Sequence, residues 1–155
     1  MASPVRPVPA GYHTVTPYLI VRGGDAAIAF YKKAFHATEE VRMPMPDGRL
    51  GHAELKIGDS MIMLADEMPE MKIVGPQTLG GTSVGIALYV EDCDATFHQA
   101  LAAGGTVDRP LQDQFYGDRS GTLIDPFGHK WTVATHKEDV SPEEMNRRMA
   151  QLPKP

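Results

Sequence analysis

Apolar and polar positions alternate with a period of two over most of the chain. In two places they fall into a helical rhythm, and short Gly or Pro breaks separate the stretches. Thr14 to Val21 reads as a strand rich in Thr, Val, Tyr, Leu and Ile, with Pro17 marking an edge or a bulge. Gly23-Gly24 breaks it, and Asp25 is a plausible N-cap for a helix over Ala26 to Phe35, where Ile28, Tyr31 and Phe35 recur near helical spacing. Three strand-like runs follow: about Thr38 to Pro46, closed by Pro46-Asp47-Gly48; Leu50 to Ile57, closed by Gly58-Asp59; and Ser60 to Ala65.

The same grammar restarts after a loop from Asp66 to Thr82 that holds two Pro and three Gly. A loop of this length is functional or a linker. Val84 to Val90 is a strand. Asp92 or Asp94 can cap a helix running to about Ala103, and Gly104-Gly105 ends it. Thr106 to Phe115, Arg119 to Ile124 and His129 to His136 are the last strands. Ser141-Pro142-Glu143-Glu144 carries the signature of a short terminal helix: a Ser cap, Pro at the first position, acids in the first turn.

Sliding the chain on itself until Leu19 falls on Leu88 also puts Val21 on Val90, Asp25 on Asp94 and Gly48 on Gly117. The matches extend to Ala34 on Ala103 and Ala65 on Ala134, which predicts one constant offset. The fold expected is therefore α+β, two tandem β-α-β-β-β modules. The expected boundaries are an N-terminal arm over 1–12, one domain over 13–137 made of modules 13–66 and 82–137 joined by loop 67–81, and a C-terminal tail over 138–155 with a short helix.

Composition narrows the chemistry. The 155 residues carry 15 Lys+Arg against 20 Asp+Glu, a net charge of −5, which argues against a nucleic-acid partner. One Cys makes neither an internal disulfide nor a zinc-finger or iron–sulfur framework. No apolar run approaches the roughly 18 residues of a membrane span. Residues 1–11 hold three Pro and no apolar signal-peptide core, so a cytoplasmic protein is expected. Neither a Gly-x-Ser-x-Gly elbow, a phosphate loop nor a dinucleotide fingerprint is present.

The run Gly24-Asp-Ala-Ala-Ile-Ala-Phe-Tyr-Lys-Lys-Ala-Phe35 after a Leu-Ile-Val strand resembles the opening of the vicinal oxygen chelate superfamily. This is the group of glyoxalase I, extradiol dioxygenases, fosfomycin-resistance enzymes and bleomycin-resistance proteins. Asp125-Pro126-Phe127-Gly128-His129-Lys130-Trp131 resembles its Asp-Pro-x-Gly turn before the final strand. The Val-Thr-Pro-Tyr-Leu opening and Asp113 to Gly121 resemble its PhnB-like branch. The resemblance implies cupped mixed sheets around a shared cavity, a homodimer, and in the enzymes one divalent metal held by His, Gln or Glu on the first and last strands of both modules.

Carried over by strand position, those ligands fall on Thr16, Met63, Gly85 and Thr132. None is a credible ligand for a catalytic divalent ion: Gly offers no side chain, Met is soft, and a lone Thr hydroxyl is a weak neutral donor. The remaining His residues show no paired metal spacing. His52 and Glu54 share one strand face, and their expected role is a solvated pair or the cap of an inward polar spot.

Strand parity lines the cavity with Tyr18, Ile20, Met61, Ala65, Ala87, Tyr89, Lys130 and Ala134, and sends Trp131 to the other side. The expected function is metal-independent binding or sequestration of a small molecule with no cofactor, the ligand being apolar or aromatic with a polar end. Tyr18, Met61, Met63, Tyr89, Tyr116, Arg119 and Thr132 are the binding candidates, with Arg119 clamping a carboxylate or phosphate. The alternative is a metal-dependent lyase, isomerase or dioxygenase holding a divalent metal on non-standard ligands, His13, His52 and Glu54.

Overall fold

A computed structural model describes residues 5–153; the first four residues of the arm and the last two of the tail lie outside it. Residues up to 81 form one compact unit and those from 82 a second. The first contains β1 (Tyr18–Val21), α1 (Gly24–Phe35), β2 (Thr38–Pro44), β3 (Leu50–Ile57) and β4 (Ser60–Asp66), followed by a one-turn helix α2 (Pro76–Leu79). Its sheet runs β1-β4-β3-β2, with β1 parallel to β4 and the other pairs antiparallel. The second contains β5 (Gly85–Tyr89), α3 (Cys93–Ala102), β6 (Thr106–Asp113), β7 (Asp118–Ile124), β8 (Lys130–His136) and α4 (Pro142–Met149). Its sheet repeats the pattern as β5-β8-β7-β6. Each unit is thus one β-α-β-β-β module around its own mixed sheet.

Register tests the duplication directly. Tyr18 pairs with Met63 and Ala87 with Thr132, so both partners recur at the offset that carries Leu19 onto Leu88. The offset does not stay constant, however. Ala53 pairs with Leu64 while Gly121 pairs with Val133, so β7 follows β3 at an offset shorter by one than that relating β8 to β4. Two local insertions account for the slip. Gly51 is an extra residue bulged between His52 and Leu50 on β3. The turn between Asp125 and His129 holds one residue more than Gly58-Asp59 between Ile57 and Ser60. A bulge moves the side chains beyond it to the other face. Here it swings Leu50 onto the start of α1, where a Cβ on Gly24 would lie 2.5 Å from Leu50 Cδ2.

One face of each sheet packs on its own helix. In the first module Leu19, Val21, Ala53, Leu55 and Leu64 are buried with Ile28, Tyr31 and Phe35. The Tyr31 and Phe35 rings stack one helical turn apart, 6.3 Å between centroids. In the second, Leu123, Trp131 and Val133 are buried with Cys93, Phe97 and Ala100. Gly121 is needed there: a Cβ would meet the Phe97 ring at 2.9 Å. Trp131 donates its indole N–H to Asp125 Oδ2 at 2.9 Å, and Asp125 Oδ1 accepts from the amides of Phe127 and His129. One buried carboxylate thus fixes both the Asp-Pro-Phe-Gly turn and the indole.

The helix starts differ from the expectation in one case. Asp25 does not cap α1; its side chain pairs with Arg42. Gly23 is the cap residue, in a left-handed conformation, and supplies no side chain. The missing acceptor comes from the end of β4: Asp66 Oδ1 accepts from Gly23 N (2.9 Å) and Gly24 N (2.7 Å), and its Oδ2 accepts from Leu50 N (2.7 Å). Asp92 caps α3 through Ala95 N, and Ser141 caps α4 through Glu144 N.

Two other boundaries move. The first strand begins at Tyr18 rather than Thr14, since Pro17 has no amide to donate, although its carbonyl still accepts from Met63 N at 2.9 Å. The segment after β4 is not structureless. A 3-10 turn at Pro69–Met71 and α2 give it form. Glu67 ties it down by accepting from Gly75 N (2.8 Å) and the Thr78 hydroxyl (2.5 Å), while Arg22 donates to Thr78 Oγ1.

Candidate functional site

The helix covers one face of the first sheet, and the pairing defines what the other face presents. Tyr18, Met63, Glu54 and Val41 form one row across it; next to that row Ile20 pairs with Ala65, and His52 pairs with Met43. Strand parity therefore brings Tyr18, Met61 and Met63 to one face. Tyr18 is half exposed, Met63 is partly exposed and Met61 is buried. His52 and Glu54 lie on the same face as these candidates, not on a solvated outer one.

They form a hydrogen-bonded row. Tyr18 Oη lies 2.8 Å from His52 Nδ1, and His52 Nε2 lies 3.2 Å from Glu54 Oε1. A carboxylate only accepts, so in the neutral imidazole Nε2 carries the proton and donates to Glu54. Nδ1 is then the acceptor, and the Tyr18 hydroxyl donates to it. Burial raises the Tyr18 pKa above its ordinary value, which keeps that proton on the phenol.

The residues before β1 return over this face. Pro7, Val8, Pro9, Tyr12, His13, Thr14 and Thr16 line a cavity of about 420 Å³ with Glu54 and Met63. The arm is therefore a wall of the first module's cavity, and Tyr12 within it is not among the expected contacts. It is the one Phe, Tyr or Trp that precedes Tyr18, the only sign it gives in sequence. Its hydroxyl oxygen is buried and meets no partner at hydrogen-bond geometry. Burial first, and the neighbouring Glu54 carboxylate second, push its pKa up to about 12. Glu54 answers in the opposite sense: the Tyr12 hydroxyl, then His52, hold its pKa below the usual carboxylate value.

A second cavity of the first module, about 470 Å³, lies beside Arg22, Asp47, Arg49, Asp66 and Glu67. Its cations are engaged by the module's own acids: Arg49 by Asp47 and Glu70 (both 2.7 Å), Arg22 by Glu67 (3.2 Å). It reads as the anchor of the 67–81 segment.

In the second module Tyr89, Thr132, Ala87 and Gly85 lie on the face away from α3. Thr132 and Thr122 hydroxyls are 2.9 Å apart across β7 and β8. Tyr89 donates to buried Asp118 Oδ2 at 2.6 Å, and His136 Nδ1 meets Oδ1 at 2.7 Å. His136 Nε2 lies 2.8 Å from Asp139. Both ring nitrogens face carboxylates, so both can donate only as imidazolium, and Asp118 and then Asp139 raise the His136 pKa. Burial alone would push Asp118 up; Tyr89 and His136 outweigh it and hold it down. Tyr116 stands in the turn before Asp118, its ring 5.3 Å from Phe115.

Arg119 is the correction. It points to the helix side of the sheet, with Nε and Nη2 on Asp94 (2.6 and 2.8 Å) and Nη1 on Asp113 (3.3 Å). Asp118 is not its partner. A guanidinium held bidentate by a helix carboxylate fastens α3 to β7, and is not free to clamp a ligand anion.

The positions where a divalent metal is implied do not fit one. Met63 presents a thioether beside Tyr18, Gly85 has no side chain and nothing within 4 Å of where one would start, and the Thr132 hydroxyl is engaged by Thr122. His52 has both nitrogens engaged. Among the described residues no three His, Cys, Asp or Glu are grouped to hold a metal ion. Nor, among them, is any helix long and apolar enough to cross a membrane.

Comparison with known proteins agrees with this architecture. The model of the Glyoxalase/Bleomycin resistance protein/Dioxygenase superfamily matches residues 12–133. An uncharacterized protein of Mycobacterium tuberculosis is 45% identical over 139 residues, covering 88% of this chain and 82% of its own length. The crystal structure of TioX from Micromonospora sp. ML1 superposes with a TM-score of 0.64 at 26% identity, over 80% of this chain and 98% of TioX. A PhnB protein from Bacillus cereus shares the fold at a TM-score of 0.63 and 19% identity, over 79% of this chain and 99% of its own.

Proposed function

The chain belongs to the Glyoxalase/Bleomycin resistance protein/Dioxygenase superfamily, and from that premise we propose that it binds or sequesters a small molecule without a metal. The observation that carries this reading is the non-fitting set Thr16, Met63, Gly85 and Thr132, at the positions where the family resemblance implies metal ligands. Beside Thr16 and Met63 lies a cavity of a size ordinary for small ligands, with Met, Tyr and Pro in its lining. Met adapts to varied ligand shapes, and Tyr offers a flat face with one polar handle. Of the binding candidates, Tyr18, Met61, Met63, Tyr89, Tyr116 and Thr132 stay in the proposal; Arg119 leaves it.

The same reading takes the protein as a cytoplasmic homodimer, on the resemblance alone; sedimentation velocity measures that state. The test of metal independence is elemental analysis of protein purified without a His tag, paired with a thermal-shift screen of amphiphilic aromatics with and without EDTA. We expect no stoichiometric divalent metal and ligand-dependent stabilisation that survives chelation. Stabilisation that vanishes with EDTA sinks the reading and favours an enzyme on non-standard ligands.

A further inference from the structure

We propose that the first module's cavity takes an organic cation: an amine carried on an aromatic or apolar body, its nitrogen set against Glu54 and the Tyr12 hydroxyl. The inference rests on the small-molecule reading above and adds the sign of the ligand's polar end.

The argument begins with charge. Other acids that approach a basic group in this module meet Arg or Lys: Glu39 holds Arg42 and Lys32, Glu67 holds Arg22, Glu70 holds Arg49. Glu54 is only 21% exposed, and its ion-pair partner among the described residues is His52, which counts as charged only when protonated. Lys56, two residues on along β3, is exposed and does not line the cavity. A largely buried carboxylate facing neutral donors leaves charge for a bound cation to complement.

Shape and polarity agree. Tyr12 brings a buried hydroxyl beside the same carboxylate, and its oxygen meets no donor at hydrogen-bond geometry. An ammonium has three donors, enough to use Glu54 and the acceptor lone pairs of the phenol oxygen together. Pro7, Val8, Pro9 and Met63 supply apolar walls, and the Tyr12 ring is a face for cation–π contact. An anionic end would meet Glu54 with like charge, and Arg119 is committed to Asp94 on the helix side of the other sheet.

The test uses three probes that share one ring system and differ in charge: naphthalen-2-ylmethylammonium, 2-naphthylmethanol and naphthalene-2-acetate. Each is titrated calorimetrically into the full chain in EDTA. The cation is expected to bind about tenfold more tightly than the acetate, and Glu54→Gln to lose about that factor for the cation alone. Tyr12→Phe should weaken the cation by a smaller factor, and it keeps the ring, so it guards against misfolding of the Glu54 variant. Melting curves of both variants check the fold. Equal binding of all three probes, unchanged in Glu54→Gln, overturns the inference and leaves the binding reading standing. No binding of any probe overturns both for this cavity.

Discussion

Single carboxylates decide much of this structure, each by reaching amides or rings far from it in sequence. Asp66 is the clearest case. It closes the first turn of α1 and holds Leu50 N at once, three donors on one side chain. Asp66→Ala leaves these amides without their acceptor and should cost about 2 kcal/mol in a urea titration; Asp25→Ala, in a surface pair with Arg42, should cost well under half of that. His136 gives a signed pH dependence. Its pKa is raised in the folded state by Asp118 and Asp139, so the stability it adds is complete below the unfolded value of about 6.5 and is lost as pH rises through the folded value. The melting temperature should therefore fall between those two values, and His136→Gln should flatten that slope. Asp118 acts at the other end: its lowered pKa adds stability present above the unfolded carboxylate value and lost as pH falls through the folded one. None of these roles is legible from neighbours in the chain. Asp25 sits where a cap belongs, and Asp66 lies more than forty residues away; Arg119 adjoins Asp118 in sequence but bonds Asp94 on helix α3.

At the scale of elements, the sequence is far more telling. Period-two alternation locates β3 at Leu50–Ile57 to the residue, and parity alone puts Tyr18, Met61 and Met63 on the open face of the first sheet and Trp131 on the helix-covered face of the second. What parity cannot supply is which faces are adjacent across strands, because that depends on register. The bulge at Gly51 and the longer turn after β7 shift register by one residue each, and neither leaves a mark beyond a Gly or an added turn residue. The N-terminal arm escapes the sequence for a related reason: Pro and Gly in it signal an absence of regular structure, and say nothing about whether it packs. Deleting residues 1–11 removes the Pro7, Val8 and Pro9 wall but leaves the opposite, helix-covered face intact. The expected result is a fall of about fivefold in affinity for the naphthylmethylammonium probe, with the melting temperature unchanged within about 2 °C.

At the scale of the whole molecule, the duplication makes two modules that match in strand order and differ in chemistry. The first carries Tyr18, His52 and Glu54 on its open face; the second carries Tyr89, Asp118 and His136. The repeat preserved the backbone plan while the polar rows diverged, so the function of one module cannot be read from the other. The duplication also left the chain with a single Trp, and it is Trp131, buried in the second module against Asp125. Indole emission therefore watches one half of the protein, while far-UV circular dichroism watches both. Leu64→Ala opens a hole of about 2 to 5 kcal/mol in the other half. The distance by which the Trp131 fluorescence midpoint follows that lesion measures how much of their stability the two halves hold in common. The molecule thus comes with its own built-in optical gauge of cooperativity, requiring neither label nor added chromophore.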